Sequence, residues 1–209
     1  MTGALFRFAT QRAPLVVAAD GGADRCLALG VRPEMVIGDM DSISAAARAA
    51  LGPDRLHLIA EQETTDFEKA LAAVQAGFVL AVGFAGARID HGLAVLGTLA
   101  RQRRTCILLG PQDAVFHLPQ SIDLHLRRGD RFSLFPMQRV TGTSTGLDWP
   151  IDGLEFSPTG RIGTSNRVSL GPVRLRMSGP GMLCIVPRRR LDQVLAALGA
   201  VPRAETRSR

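Results

Sequence analysis

From residue 15 to about residue 118 the chain alternates short apolar runs with helix-patterned segments, and this alternation constrains its fold more than any other feature. "LVVAA" precedes "DGGADRCLALG", "MVI" precedes "GDMDSISAAARAAL", and "LHLIA" precedes "EQETTDFEKALAAVQAG". "FVLAVG" then precedes "FAGARIDHGLAVLGTLARQ", and "TCILLG" closes the series. Strand, loop and helix in regular succession predict an α/β fold with a mostly parallel, Rossmann-like sheet and helices on both faces. From about residue 122 the pattern changes. "DLHLRRGDRFSLFPM" and "VRLRMSGPGMLCIVP" alternate apolar and polar residues at period two, with Gly and Pro between them, which predicts a small antiparallel β-sandwich. The expected organisation is residues 1–120, then 121–187, then a C-terminal helix and basic tail over 188–209.

A chain of 209 residues that is 46% hydrophobic can bury a proper core. Its formal charge is +6, but residues 188–209 carry net +4 of it, through six arginines set against Asp192 and Glu205. The basic balance therefore reads as a solvated tail. One Trp, no Tyr and no interleaving of basic with aromatic residues leave no stacking platform for bases, so nucleic acid is not expected as a partner. Cys26, Cys106 and Cys184 are too few and too scattered for a disulfide framework or a zinc site, and read as reduced, buried thiols. No apolar run reaches transmembrane length, so the expectation is a cytoplasmic protein with no membrane partner.

"MVIGDMDS", residues 35–42, places Asp39 and Asp41 one residue apart where a strand runs out. Two such carboxylates raise each other's pKa unless a cation or a donor stabilises both. Taken alone the octapeptide reads as a polar loop, with Asp41 or Ser42 capping the helix suggested by "SAAARAAL". The other strand ends change that reading, because ligands of open α/β sheets bind beyond the carboxyl ends of the strands. After "LVVAA" comes Asp20 with two glycines; after "LHLIA" come Gln62 and Asp66; after "FVLAVG" come Arg88 and Asp90. Such agreement among four strand ends favours a site for a divalent metal, expected to be magnesium, and phosphate.

"TTDFEKAL" starts a helix, since Thr65 and Glu68 form a capping box and Phe67, Leu71 and Val74 follow core spacing. Asp66 either complements the positive end of that helix or is aimed by it toward a metal. Lys69 is the single lysine among 25 basic residues, which hints at a compact charge near phosphate. There is no GxxxxGK[ST] loop and no GxGxxG turn, so neutralisation of a nucleotide would fall to magnesium, Arg88 and Lys69. His91 opens a helix and reads first as a structural hydrogen-bonding residue; Trp149 reads as packing within the β-domain, and "GTSN" at 163–166 as a polar turn.

In order along the chain, "ADGGADR", "VIGDMDS", "QETTDFEKAL", "GARIDH", "GLDWPIDG" and "GTSN" resemble the thiamine pyrophosphokinase (thiamine diphosphokinase) family, from about Leu15 to Pro187. The resemblance implies an α/β nucleotide-binding catalytic domain joined to a β-sandwich that binds thiamine, in a homodimer with thiamine between subunits. It implies transfer of pyrophosphate from ATP, the co-substrate, to the hydroxyl of thiamine, giving thiamine diphosphate and AMP. By motif, Asp39, Asp41 and Asp66 would handle magnesium and the ATP phosphates. Asp20, Gln62, Arg88 and Asp90 would line the same cleft, Thr65, Lys69 and His91 join the binding set, and Ser165 and Asn166 would face thiamine. Ala87 and Val95 depart from the glycine and asparagine usual at those places. Two rival readings are another magnesium-dependent pyrophosphoryl or phosphoryl transferase, and a non-catalytic binder of nucleotide or thiamine.

Family members usually open with a strand and a glycine-rich turn before the first helix. Here fourteen residues precede Leu15, and "TGALFRFATQRAP" reads as that helix. The expectations are a helix over residues 3–12, a sheet without its usual opening strand, and Met1 as an internal start.

Overall fold

A computed structural model describes residues 2–86 and 88–200 of the chain. The expected first helix is present as α1 (Gly3–Thr10). Thr2 caps it by accepting the Leu5 N–H at 3.3 Å, and Leu5, Phe6 and Ala9 bury one face. There follow β1 (Val17–Ala19), α2 (Gly22–Ala28), β2 (Met35–Gly38), α3 (Ala45–Leu51), β3 (Leu56–Leu58) and α4 (Asp66–Ala73). The three strands form a parallel sheet in the order β1-β2-β3, with Val17 opposite Met35 and Val36 opposite Leu56. Phe6, Ala18, Ala23, Cys26, Val36, Met40, Ile43, Ala47 and Leu51 form one buried cluster around it.

The mixed α/β composition is as expected, but the parallel sheet stops after three strands. Next come β4 (Val79–Val82), α5 (Ile89–Arg101), β5 (Cys106–Leu109) and β6 (Asp113–His117), a strand that the sequence pattern did not reveal. Only Gly110–Gln112 separate β5 from β6, and Gly110 N–H closes the turn on Asp113 O at 2.8 Å. So short a loop can join only antiparallel neighbours, because a parallel pair needs a crossover of a dozen or more residues. β5 and β4 are thereby drawn into a six-stranded sheet, β11-β8-β13-β6-β5-β4, that contains antiparallel pairs. Its remaining members are β8 (Arg131–Pro136), β11 (Gly163–Arg167) and β13 (Met182–Pro187).

A separate four-stranded sheet has the order β10-β9-β12-β7, from β7 (Ser121–Leu124), β9 (Val140–Thr145), β10 (Glu155–Phe156) and β12 (Val173–Met177). Along β7 and β12, Ile122, Leu124, Val173, Leu175 and Met177 are buried while Ser121, Asp123, Arg174 and Arg176 are exposed. This is the period-two pattern anticipated for a sheet with one packed face. Packing divides the chain into two compact units: the residues up to Ala76 with Val82–Val95, and Gly77–Ala81 with Leu96 onward. Cys26, Cys106 and Cys184 are free and buried, as expected. Among the described residues no helix is long and apolar enough to cross a membrane.

The arginine run expected in a basic tail is instead partly structural. Arg188–Arg190 form a 3-10 turn leading into α6 (Leu191–Ala197), whose Leu191, Val194 and Leu195 are buried. Asp130, itself only 2% exposed, accepts from Arg189 Nη2 at 2.6 Å, from Arg190 Nε at 2.6 Å and from the Arg127 N–H at 2.9 Å. The reason the charge count misled is that the partner carboxylate lies 60 residues away in sequence. Residues 201–209 and Ala87 lie outside the described residues, and the tail reading for 201–209 stays with them.

Burial alone would raise the pKa of Asp130, but the Arg190, Arg127 and Arg189 donors outweigh it and hold the carboxyl below its ordinary value. A lowered carboxyl contributes stability that is present above the unfolded pKa of about 3.9 and lost as pH falls through the folded value. Asp130→Asn is expected to cost about 3 kcal/mol, because it strands the nearly buried Arg190 charge. Urea unfolding across the acid range should show a shallower acid loss in the variant; identical acid profiles would refute the clamp.

Candidate active site

β1 and β2 run parallel, so Asp20 after β1 and Asp39 after β2 leave the sheet at the same edge. Gly38 allows them to meet. It adopts φ 155°, and a Cβ there would stand 2.9 Å from Asp20 Cβ and 3.2 Å from Asp66 Oδ1. No residue with a side chain fits without displacing these aspartates. Met40, at φ 65°, is buried in the core of the first unit, which anchors the loop between its two flanking aspartates. That is the physical reason for an apolar residue between Asp39 and Asp41.

Asp20 is 2% exposed, and its carboxylate accepts the N–H groups of Ser42 and Ile43, each at 3.0 Å. It therefore ties the end of β1 to the loop that carries the other carboxylates. Asp39 accepts from Asp41 N–H at 3.2 Å and from Gln62 Nε2 at 3.1 Å, and Asp41 accepts from Ser42 Oγ at 2.7 Å. Carboxylate oxygens of Asp20, Asp39 and Asp41 all lie within 4.8 Å of one another. The sequence grouped Asp39 and Asp41 with Asp66; here Asp20 stands with them, and Asp66 is next to the group across Gly38.

α4 packs against β1 and β2 and brings its first turn to this edge. Thr65 is occupied as its cap, accepting Glu68 N–H at 3.3 Å while Glu68 accepts Thr65 N–H at 3.2 Å. Lys69, the single lysine, is 4% exposed, with Nζ 3.9 Å from Asp66 Oδ1. Burial, then the charges of Asp20 and Asp39, raise the Asp66 carboxyl above its ordinary value against the pull of Lys69. Burial and the neighbouring Asp41 raise Asp20 as well, overcoming its backbone donors. Asp39 moves the other way, lowered first by the Gln62 hydrogen bond. Crowded oxygens with two carboxyls pushed upward are what a hard divalent cation would relieve, so the donor set fits magnesium.

Arg88 donates to both oxygens of Asp90, at 3.2 and 2.6 Å, and pulls the Asp90 carboxyl down to about 2. The two enter as an exposed ion pair of their own at the start of α5, beside an exposed His91, rather than as members of the Asp20 group. Val95 on the same helix is buried.

In the second unit, Asn166 is 8% exposed and its amide is engaged. Nδ2 donates to Trp149 O at 2.7 Å, while Oδ1 accepts from Trp149 N–H at 3.2 Å and Arg167 N–H at 2.8 Å. Trp149 is held by its backbone and left 58% exposed, which overturns its reading as a packing residue. Ser165 sits at φ 64°, and its N–H donates to Ser133 Oγ at 3.0 Å. Neither the backbone clip by Asn166 nor the exposure of Trp149 has a signature in residue order.

Parallel strands ending in clustered carboxylates, in a chain that continues into antiparallel sheets, define a mixed α/β protein with an acidic site at its strand ends. A family model described as thiamin pyrophosphokinase, catalytic domain, matches residues 6–109, and one described as thiamin pyrophosphokinase, vitamin B1 binding domain, matches residues 117–178. Thiamine pyrophosphokinase 1 of Oryza sativa subsp. japonica is 30% identical over 200 residues, covering 79% of this chain and 76% of that protein. Thiamine pyrophosphokinase 1 of Arabidopsis thaliana is 30% identical over 193 residues, covering 76% and 72%. The fold is shared with the solved thiamin pyrophosphokinase of Candida albicans, at TM-score 0.70 and 16% identity over 83% of this chain and 82% of that one. It is shared also with that of Bacillus subtilis, at TM-score 0.68 and 22% identity over 83% and 86%. The chain belongs to the thiamin pyrophosphokinase family.

Asp20→Ala removes the acceptor of two backbone N–H groups and is expected to destabilise the protein by about 3 kcal/mol, whereas Asp20→Asn, which keeps one acceptor, should cost less. Denaturant midpoints check the order. An unchanged midpoint for Asp20→Ala would show that the clamp carries no load.

Proposed function

We propose that this chain transfers pyrophosphate from ATP to the hydroxyl of thiamine, releasing AMP and thiamine diphosphate. The observation that carries the reading is the convergence of Asp20, Asp39 and Asp41 within 4.8 Å in a chain matched by both halves of the family. In the reaction the thiamine oxygen attacks the β-phosphorus, the bond from that phosphorus to the oxygen bridging the α-phosphate breaks, and the hydroxyl proton passes to a carboxylate of the cluster. Positioning and charge stabilisation supply most of such a transfer.

Asp39, Asp41 and Asp66 would hold magnesium, with Asp20 fixing the loop behind them. When bound, magnesium supplies positive charge to the phosphate oxygens. Lys69 steadies Asp66 from inside the fold, and Gln62 fixes the orientation of Asp39. Arg88, oriented by Asp90, offers a planar cation suited to phosphate oxygens. Thr65 sets the first turn of α4, and His91 lies beside the Arg88–Asp90 pair as a hydrogen-bonding residue. For thiamine, the Ser165 side chain and the exposed Trp149 ring provide the contact surface, and Asn166 serves by holding Trp149. Residues 1–120 act as the nucleotide half and residues 121–187 as the thiamine half of a cytoplasmic homodimer, a division supported by the two family matches.

Incubation with ATP, magnesium and thiamine, followed by identification of the nucleotide product, tests the reading. AMP is expected; ADP would indicate a simple kinase, and neither product a binder. Asp39→Asn, Asp41→Asn and Asp66→Asn should each lower turnover by about 100-fold or more with the fold intact by circular dichroism. Near-normal turnover in all three would remove the metal assignment.

Because Asp20 and Asp66 are raised, protons compete with the cation at this site. Apparent magnesium affinity should therefore rise with pH through those raised values and level off once both groups are ionised. Calorimetric titrations at about pH 5 and about pH 8 decide it, and equal affinities would contradict the geometry. The dimer is checked by light scattering: a fully active species of only 22.3 kDa at micromolar concentration would exclude it.

A further inference from the structure

β11 pairs antiparallel with β8, and its register breaks in the middle. Gly163 stands opposite Leu134 and Asn166 opposite Phe132, so Thr164 and Ser165 together face the single residue Ser133. Two residues against one is a β-bulge, a device that bends a strand and re-aims its side chains. Without the extra residue Ser165 would itself stand opposite Phe132, which is fully buried, and would share its face. With it, Asn166 takes that buried place and Ser165 is exposed.

The bulge is held from inside the sheet. Ser133 is 6% exposed, and its Oγ accepts the Ser165 N–H at 3.0 Å, a partner for an amide that the broken ladder leaves without one. β8 is an interior strand, with Ser133 paired to Ile185 of β13 on its other side and flanked by the buried Phe132 and Leu134. An apolar side chain would fill that place with no hydroxyl to desolvate, so the oxygen there answers a need elsewhere.

That need is the backbone of Ser165, which adopts φ 64°, a region that residues with a side chain seldom enter. Among the described residues only Asp20 and Met40 share a positive φ outside glycine, and both build the acidic site. Backbone strain of this kind persists where surrounding contacts fix it, and it gathers at functional sites. The next two residues are fastened as well: Asn166 clips the Trp149 backbone, and Arg167 Nε donates to Asp148 Oδ2 at 2.5 Å.

We infer that Ser133 is a positioning residue for thiamine: its buried hydroxyl locks the bulge, and with it the left-handed Ser165, so that the Ser165 side chain is presented to the substrate. The inference rests on the transferase reading, in which Ser165 faces thiamine, and it adds a residue that acts only through its neighbour.

The test uses the full chain and three variants, Ser133→Ala, Ser165→Gly and the two combined. Amide exchange reads the lock directly. The Ser165 N–H should exchange at least about tenfold faster in Ser133→Ala, while the ladder amides of β8 and β13 keep their protection, which shows the sheet intact. Steady-state AMP release should show KM for thiamine raised about fivefold or more, the effect of one lost hydrogen bond, with KM for ATP and kcat within about twofold of wild type. In the Ser165→Gly background, where the residue that Ser133 positions has lost its side chain, adding Ser133→Ala should change KM for thiamine by less than about twofold. An unchanged KM for thiamine in Ser133→Ala, an equal rise in both backgrounds, or an equal rise in KM for ATP would overturn the inference and leave the transferase reading standing. A wild-type chain that neither turns over nor binds thiamine would overturn both.

Discussion

A carboxylate that accepts two backbone N–H groups does what no side-chain contact in this site could do alone: it fixes the path of another chain segment. Asp20 leaves β1 in the left-handed region, at φ 39°, and reaches Ser42 and Ile43. The loop from Asp39 to Ile43 is thereby held against the sheet edge, with Met40 in the core. Everything chemical at this edge depends on that attachment. Burial of Asp20 raises its pKa, so the anchor is strong geometrically and costly electrostatically, a balance that a bound cation would improve.

The neighbouring constraint is space. Gly38 leaves room for both Asp20 and Asp66 beside it, and the buried Lys69 lies next to Asp66. A buried ammonium beside clustered aspartates compensates part of the repulsion at short range, where water cannot. The exposed Arg88–Asp90 pair is different in kind: each already has an opposite charge within hydrogen-bond reach, and solvent screens both.

Much of this architecture was legible because local chemistry and tertiary structure agree. The apolar runs at β1 and β2, the capping box of Thr65 and Glu68, and the helix at α1 are all local signals, and each element stands where its signal places it. The failures share a cause: they depend on which segments become neighbours. A succession of strands and helices does not say which strand edge each new strand will meet, so β4 and β5 were extended into a parallel sheet they do not join. "DAVFH" was absorbed into the boundary because five residues carry little periodic signal, although "GPQD" before it is a turn. Arg190 looked solvated because Asp130 is remote in sequence, and Trp149 looked buried because composition is silent about exposure. For the site, the strand-end carboxylates were readable, while the closer association of Asp20 with Asp39 and Asp41 came only from the path of the loop.

β13 is the last strand described in the chain, yet it lies in the interior of the six-stranded sheet, bonded to β8 on one side and β6 on the other. During synthesis from the N-terminus, both neighbours emerge before it. β6 with β5 and β4, and β8 with β11, must wait with open edges and apolar faces until Met182–Pro187 is free of the ribosome. The Arg190 contact to Asp130 arrives later still. This half of the molecule therefore matures in one late event, and the interval before that event is when a nascent chain has most need of a chaperone.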